Sequence, residues 1–377
     1  MMDLTPLRVG ITRHLPTWRP TWPARWRVST QVDWRLTLSD ALGISLLMRK
    51  PSSSTSLTLP LLATSLVAAI AYAVIPRSKR YHPRQVAIIT GGSRGLGLAI
   101  AHRFGQAGLL LVLAARNEQE LEAARLNLLQ AGSVQQEDDI LLVSCDLTDP
   151  EQAQNLILET IKIFGRLDLL INNAGIIEVG PFENQPLEAY DRAMQTNFFA
   201  ALHTIHAATP YLLDPPDQSC RGIVNIASIG GKIPVPHLLP YVASKFALTG
   251  FSEGLHIELR HKGVRVTTVC PGLMRSGGEE HAHFTGQREK EQRWFKLSAK
   301  TPGLSANVHH AAHRIYNAVQ AGRAEITITP QAWLAARVVG LAPETSQVLA
   351  ALANEYVLPD PVYNAPELPI DSAVSPT

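Results

Sequence analysis

The sequence predicts an α/β protein: a doubly wound parallel sheet of about seven strands with helices on both faces, preceded by a transmembrane helix. Three observations carry that prediction. Apolar, often β-branched runs alternate with longer amphipathic stretches between residues 84 and 330. A glycine-rich turn, Thr90-Gly-Gly-Ser-Arg-Gly-Leu-Gly97, follows the first of those runs and precedes the first amphipathic stretch. An uncharged apolar run that begins at Leu57 and ends at Ile75 stands ahead of the alternating region.

Residues 1–50 are an N-terminal extension unlike the rest. They hold four tryptophans (Trp18, Trp22, Trp26 and Trp34), and arginine but no lysine before Met48. No helical or strand period is sustained there. Two readings stand: an Arg-rich targeting or membrane-surface segment, or translation that begins at Met48, which is the preferred one. The run 57–75 would span roughly 28 Å as a helix at about 1.5 Å per residue, close to the thickness of a bilayer core. Arg77, Lys79, Arg80 and Arg84 follow it closely, a basic cluster that a buried core helix rarely carries. A membrane anchor is therefore expected, with a core helix and a cleaved signal peptide as rivals; Ala71-Tyr72-Ala73 resembles a cleavage box. With a Met48 start, positive charge is heavier on the C-terminal side, which places the main domain in the cytoplasm as a single-pass protein.

Within 84–330 the expected strands are Val86–Thr90, 109–113, Ile140–Ser144, 167–172, 223–227, Val264–Cys270 and 326–329. Several are continuous apolar runs, as in strands buried on both faces of a parallel sheet. Helical patterns lie between them, for example Glu118–Gln130 and 186–213. The tail, 331–377, carries two apolar helical patterns at 333–339 and 346–356 and a Pro-rich end. Packing of those helices on the core is the default expectation, with a membrane surface or closure of a site as alternatives.

Composition bounds function. The 377 residues are 46% hydrophobic and 18% charged, enough for a sizeable core and against global disorder. A net charge of +2 gives no case for nucleic acid. Cys145, Cys220 and Cys270 lack CxxC spacing, so each is read as a small core residue in a reducing compartment. His309, His310 and His313 are read as a surface helix face, and no metal is expected.

The glycine turn is a phosphate cradle. Gly91 permits a tight turn, a bare Gly95 lets backbone N–H groups approach a pyrophosphate, and Gly97 lets the helix pack close to the strand. Ser93, Arg94 and Leu96 complete the loop, and the anion would sit at the helix N-terminus. The spacing is Gly-xxx-Gly-x-Gly, not Gly-x-Gly-xx-Gly. Beyond the second strand an NAD site places a carboxylate against the ribose 2′-OH. Here Leu113-Ala-Ala-Arg116-Asn117 has none. Arg116 and Arg94 suit a 2′-phosphate, so NADP (NADPH) is the expected cofactor.

Ser228, Tyr241 and Lys245 complete the pattern, with Tyr241 and Lys245 four apart on one helical face. Together with the loop these residues resemble the short-chain dehydrogenase/reductase family in its single-domain, Rossmann-like form. The match spans residues 84–330. By that resemblance Asp146-Leu147 contacts adenine, and Asn173-Ala174-Gly175 lines the cofactor. Pro271-Gly272 stands beside the nicotinamide, and Asn197, Ser228, Tyr241 and Lys245 form a catalytic tetrad. Leu273-Met-Arg-Ser276 departs from the family, many of whose members carry a Thr there that contacts the carboxamide. Ser276 is its candidate substitute. The resemblance implies interconversion of a ketone and a secondary alcohol. Tyr241 would be general acid/base, its pKa lowered by Lys245, which also binds ribose. Ser228 would stabilise the substrate oxygen, and Asn197 would hold a relay water. It also implies homo-oligomers paired through the helix that carries Tyr241.

The segment after the sixth strand is the expected substrate lid. Its charges at 288–293 are read as a solvated face, while Trp294 and Phe295 either cap an apolar pocket or simply pack. An anchored domain suggests a lipophilic ketone as substrate. A redox-inactive, NADP-binding membrane scaffold is the alternative of a different class, and an epimerase or dehydratase of the extended form of the family is weaker.

Overall fold

A computed structural model describes residues 80–275, 277–300 and 305–363. Ser276 and the run 57–75 lie outside the described residues. Among the described residues no helix is long and apolar enough to cross a membrane.

The main sheet has seven strands: β1 Val86–Thr90, β2 Leu110–Ala115, β3 Ile140–Ser144, β4 Leu169–Asn172, β5 Arg221–Ile226, β6 Val264–Cys270 and β7 Glu325–Thr327. Their spatial order is β7-β6-β5-β4-β1-β2-β3 and every pairing is parallel. The order reverses beside β1, which pairs with both β2 and β4. In such sheets the crevice at that reversal, outside the carboxyl ends of the strands, is where ligands bind.

The helices are α1 Gly95–Gly105, α2 Glu118–Gln130, α3 Pro150–Phe164, α4 Leu187–Met194, α5 Ala200–Leu213, α6 Leu239–Arg260, α7 Arg288–Lys300, α8 Val308–Gln320, α9 Pro330–Leu341 and α10 Pro343–Val357. Local chemistry sets many of their ends. Asn117 caps α2 by accepting from the Glu120 N–H. Asp149 caps α3 ahead of Pro150, and Gly165 closes it in the left-handed region. Thr329 caps α9 ahead of Pro330.

Side chains alternate across the sheet and feed two cores. Ala87 and Ile89 of β1 join one core with α1, α2 and α8. Val86 and Ile88 join the other with α3 and α5. This two-faced burial explains why the strands read as continuous apolar runs. Fully buried side chains such as Ile88, Phe104 and Leu111 each contribute about 1.5–3 kcal/mol of transfer free energy.

Three expectations change. The 186–213 pattern is not one helix. A π turn at Gln195–Phe199 separates α4 from α5. The turn adds one residue inside the apolar window, and reading that window as a single helix passes over it. The tail helices pair with each other, but only Ala332 of α9 and no residue of α10 is buried. Trp333, Leu334, Leu341, Val348, Leu349 and Tyr356 stay exposed, because β7 is the edge of the sheet and α8 already covers that flank. Finally, the charges at 288–293 do not all face solvent: Glu291 is fully buried.

Candidate active site

The loop after β1 is built as its glycines require. Gly91 and Gly95 adopt φ +60° and +55°. A Cβ on Gly97 would stand 2.0 Å from the Gly91 carbonyl oxygen and 2.6 Å from Asn173 Nδ2. Asn173 Nδ2 donates to the carbonyls of Thr90 and Gly91, each at 3.0 Å. The N–H groups of Asn173 and Ala174 both donate to Thr90 Oγ1. The turn after β4 thereby braces the turn after β1. No side chain caps the N-terminus of α1 and its first turn has no acid, so its N–H groups suit an anion.

Arg94 and Arg116 are exposed, with Arg116 just past β2. Arg94 Nη1 lies 3.3 Å from Glu120 Oε1 and 2.9 Å from His281 Nε2, while Ser93 Oγ donates to Glu120 Oε2 at 3.0 Å. The sequence reading missed Glu120 and His281, since neither falls in a motif. Leu96 is buried beside the loop. Asp146 Oδ1 accepts from the Thr148 N–H and hydroxyl at 3.0 and 2.8 Å, while Leu147 is buried and its carbonyl faces His203 Nδ1. The Pro271 carbonyl accepts from the Ile229 N–H at 2.7 Å, which ties the turn after β6 to the one after β5. A Cβ on Gly272 would stand 2.4 Å from Thr329 Oγ1.

The four tetrad candidates converge at the same edge. Ser228 follows β5, and its Oγ accepts from the Gly230 N–H at 3.1 Å. A Cβ on Gly230 would stand 3.4 Å from Tyr241 Cε1 and 3.5 Å from Ser228 Oγ, so both side chains face that glycine. Desolvation pushes the Tyr241 phenol above its ordinary value, and the nearby Ser228 hydroxyl pulls it partly back. Lys245 is buried, and burial lowers its ammonium to about 8. Its Nζ donates to the Ile226 carbonyl at 2.9 Å and lies 5.8 Å from the Tyr241 ring centroid. Asn197 sits in the π turn. Its Oδ1 accepts from the Ile176 N–H at 2.8 Å, and its Nδ2 donates to the Ile176 carbonyl and to Ser244 Oγ. A Cβ on Gly175 would stand 2.8 Å from Asn197 Oδ1 and 3.5 Å from Lys245 Nζ, so a side chain there would push Asn197 from its place.

One side of Tyr241 is apolar. Val179, Leu238, Val242 and Phe295 form a buried cluster against which Tyr241, Phe284 and Trp294 pack. Trp294 and Phe295 of α7 thus belong to the wall beside Tyr241. Val235 and His237 also line a groove of about 510 Å³ whose far wall includes Ala350, Ala351 and Asn354 of α10. Ser228 and Tyr241 are not among its lining residues. Among the described residues no group of His, Cys, Asp and Glu could hold a metal ion. The three cysteines are free and buried, and Cys145 and Cys270 are raised to about 11 and about 12 by burial.

A nucleotide loop, a half-buried Tyr241 with a buried Lys245, and a serine at the carboxyl edge of one parallel sheet have a direct counterpart among known proteins. The short chain dehydrogenase profile matches residues 85–283. The chain belongs to that family. It is therefore an oxidoreductase acting on CH–OH and C=O groups. A short-chain dehydrogenase relative from Anopheles gambiae, called dehydrogenase/reductase SDR family protein 7-like, is 30% identical over 254 residues, 67% of this chain and 78% of the relative. The 11-beta-hydroxysteroid dehydrogenase 1A of Arabidopsis thaliana is 34% identical over 206 residues, 54% of this chain and 56% of that one. The fold resembles a short chain dehydrogenase/reductase from Burkholderia phymatum, solved in complex with NAD. Its TM-score is 0.63 at 23% identity, covering 75% of this chain and 99% of that one.

Proposed function

We propose that this short-chain dehydrogenase is an NADPH-dependent reductase of a lipophilic ketone. The observation that carries the reading is the convergence of Ser228, a half-buried Tyr241 and a buried Lys245 at the carboxyl edge of the sheet, against an apolar wall. The uncapped α1 N-terminus and the bare Gly91 and Gly97 positions fit a dinucleotide pyrophosphate. Gly91, Ser93, Gly95, Leu96 and Gly97 would cradle it. Asp146, Leu147, Asn173, Ala174, Gly175, Pro271 and Gly272 would line the rest of the cleft. When bound, the nicotinamide supplies the hydride.

The chain's own residues handle the proton. Burial keeps the Tyr241 phenol protonated near neutrality, which is the form that donates to a carbonyl oxygen as alkoxide character grows. Ser228 donates to the same oxygen and stabilises its charge. Lys245, lowered to about 8, is poised to bond the ribose and to pass a proton onward. Asn197, fixed on both sides by Ile176, would hold the water that links Lys245 to solvent.

Preference for NADPH rests on Arg94 and Arg116 and on the lack of a carboxylate between Leu113 and Asn117. A 2′-phosphate would compete with Glu120 for Arg94. The lipophilic substrate is supported by the apolar cluster at Tyr241 and by the names of the Arabidopsis and sesame relatives, both 11-beta-hydroxysteroid dehydrogenases. The run 57–75 would anchor the protein in a membrane as a single pass with the catalytic domain in the cytoplasm. Exposed Phe246 and Ile257 on α6 suit pairing of two copies along that helix.

The test is NADPH oxidation with long-chain 3-keto lipids, steroid ketones and small soluble carbonyls, on wild type and Tyr241→Phe. Turnover with lipids, reduced about 100- to 10,000-fold in Tyr241→Phe with NADPH binding intact, is expected. A mutant as active as wild type would refute Tyr241 as the acid. Faster turnover of soluble carbonyls than of every lipid would refute the substrate class. NADPH binding with no turnover of any carbonyl would favour a scaffold.

A further inference from the structure

We infer that His237 and Glu291 are positioning residues: a buried hydrogen-bonded latch that holds helix α7 against the catalytic helix and so fixes the substrate wall beside Tyr241. Its kinetic consequence rests on the reductase reading; its structural one does not.

His237 stands four residues before Tyr241, in the segment that leads into α6. Its φ is +61°, uncommon for a residue with a Cβ. Its carbonyl accepts from the Gly180 N–H at 2.7 Å, which pins the backbone on one side. Its side chain points to α7, where Nδ1 lies 2.9 Å from Glu291 Oε1. Glu291 is wholly buried and His237 is 6% exposed. The second carboxylate oxygen is also engaged: Trp294 Nε1 donates to Glu291 Oε2 at 2.6 Å. The His237 and Trp294 rings meet edge to face at 6.4 Å.

A carboxylate taken wholly out of water persists only if both oxygens are satisfied. Here one oxygen reaches across to the catalytic segment, and the other orients the indole of its own helix. Next along α7, Phe295 packs in the cluster that holds Tyr241, Val242 and Leu238. The carboxylate thus links three things that must move together: the backbone before Tyr241, the indole of Trp294, and the apolar wall. Loss of His237 as donor leaves one oxygen of Glu291 buried without a partner, which favours release of α7 toward water.

Two substitutions separate the hydrogen bond from the backbone conformation. Gly and Asn both tolerate positive φ. Only Asn carries a donor, Nδ2, at the same bond distance from Cα as histidine Nδ1. For His237→Gly in the full chain, KM for a bulky lipophilic ketone should rise about tenfold, with little change in kcat and none in NADPH affinity. His237→Asn should restore KM to near wild type. Independently of turnover, amide hydrogen exchange across Arg288–Phe295 should speed up about tenfold in His237→Gly and stay near wild type in His237→Asn. Unchanged exchange in His237→Gly, or equal damage from Asn and Gly, would overturn the latch. A wild type that turns over no carbonyl would sink the reductase reading, while the exchange comparison would still decide the latch.

Discussion

Replacing Lys245 with Met should stabilise the protein in the absence of nicotinamide dinucleotide. Burial lowers the Lys245 ammonium from 10.5 to about 8. At about 1.4 kcal/mol for each pH unit, that fall corresponds to about 3 kcal/mol by which the folded state disfavours the cation. Met fills the same volume without charge. It also leaves the Ile226 carbonyl without its donor, a loss of about 1 kcal/mol. The net expectation near neutral pH is a gain of about 2 kcal/mol. The sign with pH follows from linkage. Below about 8 both folded and unfolded Lys245 are protonated, so the full penalty is present. From about 8 to 10.5 the unfolded chain binds more protons than the folded one, and wild-type stability rises with pH. The advantage of Lys245→Met should therefore be largest near pH 6.5 and vanish or reverse by about pH 10. Urea unfolding of both proteins at several pH values measures it. Adding NADPH to about 100 times Kd should raise wild-type stability by about 2.7 kcal/mol and raise the mutant less. A mutant no more stable than wild type at pH 6.5, or an advantage that does not shrink as pH rises, would refute a strained, buried ammonium.

Two further outcomes bear on the cofactor cleft. Gly97→Ala should lose about 1–3 kcal/mol of stability and most NADPH affinity, because its Cβ would meet backbone at Gly91; thermal unfolding and NADPH titration read both, and a normal Kd would show that α1 can shift freely. Arg116→Ala should weaken NADPH by about 10- to 100-fold and leave NADH nearly unchanged. Equal effects on both cofactors would remove Arg116 from any contact with a 2′-phosphate.

Much of this molecule was legible because its signals are local and periodic. β1, β3 and β6 fall at their expected bounds, and β1, buried at every residue, is apolar from Val86 to Ile89. The glycine turn was legible because the backbone geometry at Gly91, Gly95 and Gly97 excludes a side chain or favours its absence. Ser228, Tyr241 and Lys245 were found as candidates by spacing, and the structure brings them to one edge. Other features had no such signal. The π turn adds one residue within a stretch that reads as a single helix. His237 and Glu291 are 54 residues apart, and each alone looks like an ordinary surface charge. The bond from Lys245 to Ile226 ends on a strand carbonyl that no side-chain motif reveals. The exposed tail helices read as core because apolar composition does not say which surface will cover it.

The π turn between α4 and α5 has a further consequence for how the site could be altered. One residue advances an α-helix by about 100°. The inserted position therefore lets a single continuous segment show one face to α6 and a different face to α3 and the sheet. Deleting Gln195 would leave every other side chain chemically intact and still dismantle the site. Either α4 would rotate away from the catalytic helix, or Asn197 would swing off Ile176. Insertions and deletions, as much as substitution of Asn197, are changes this stretch of chain cannot absorb.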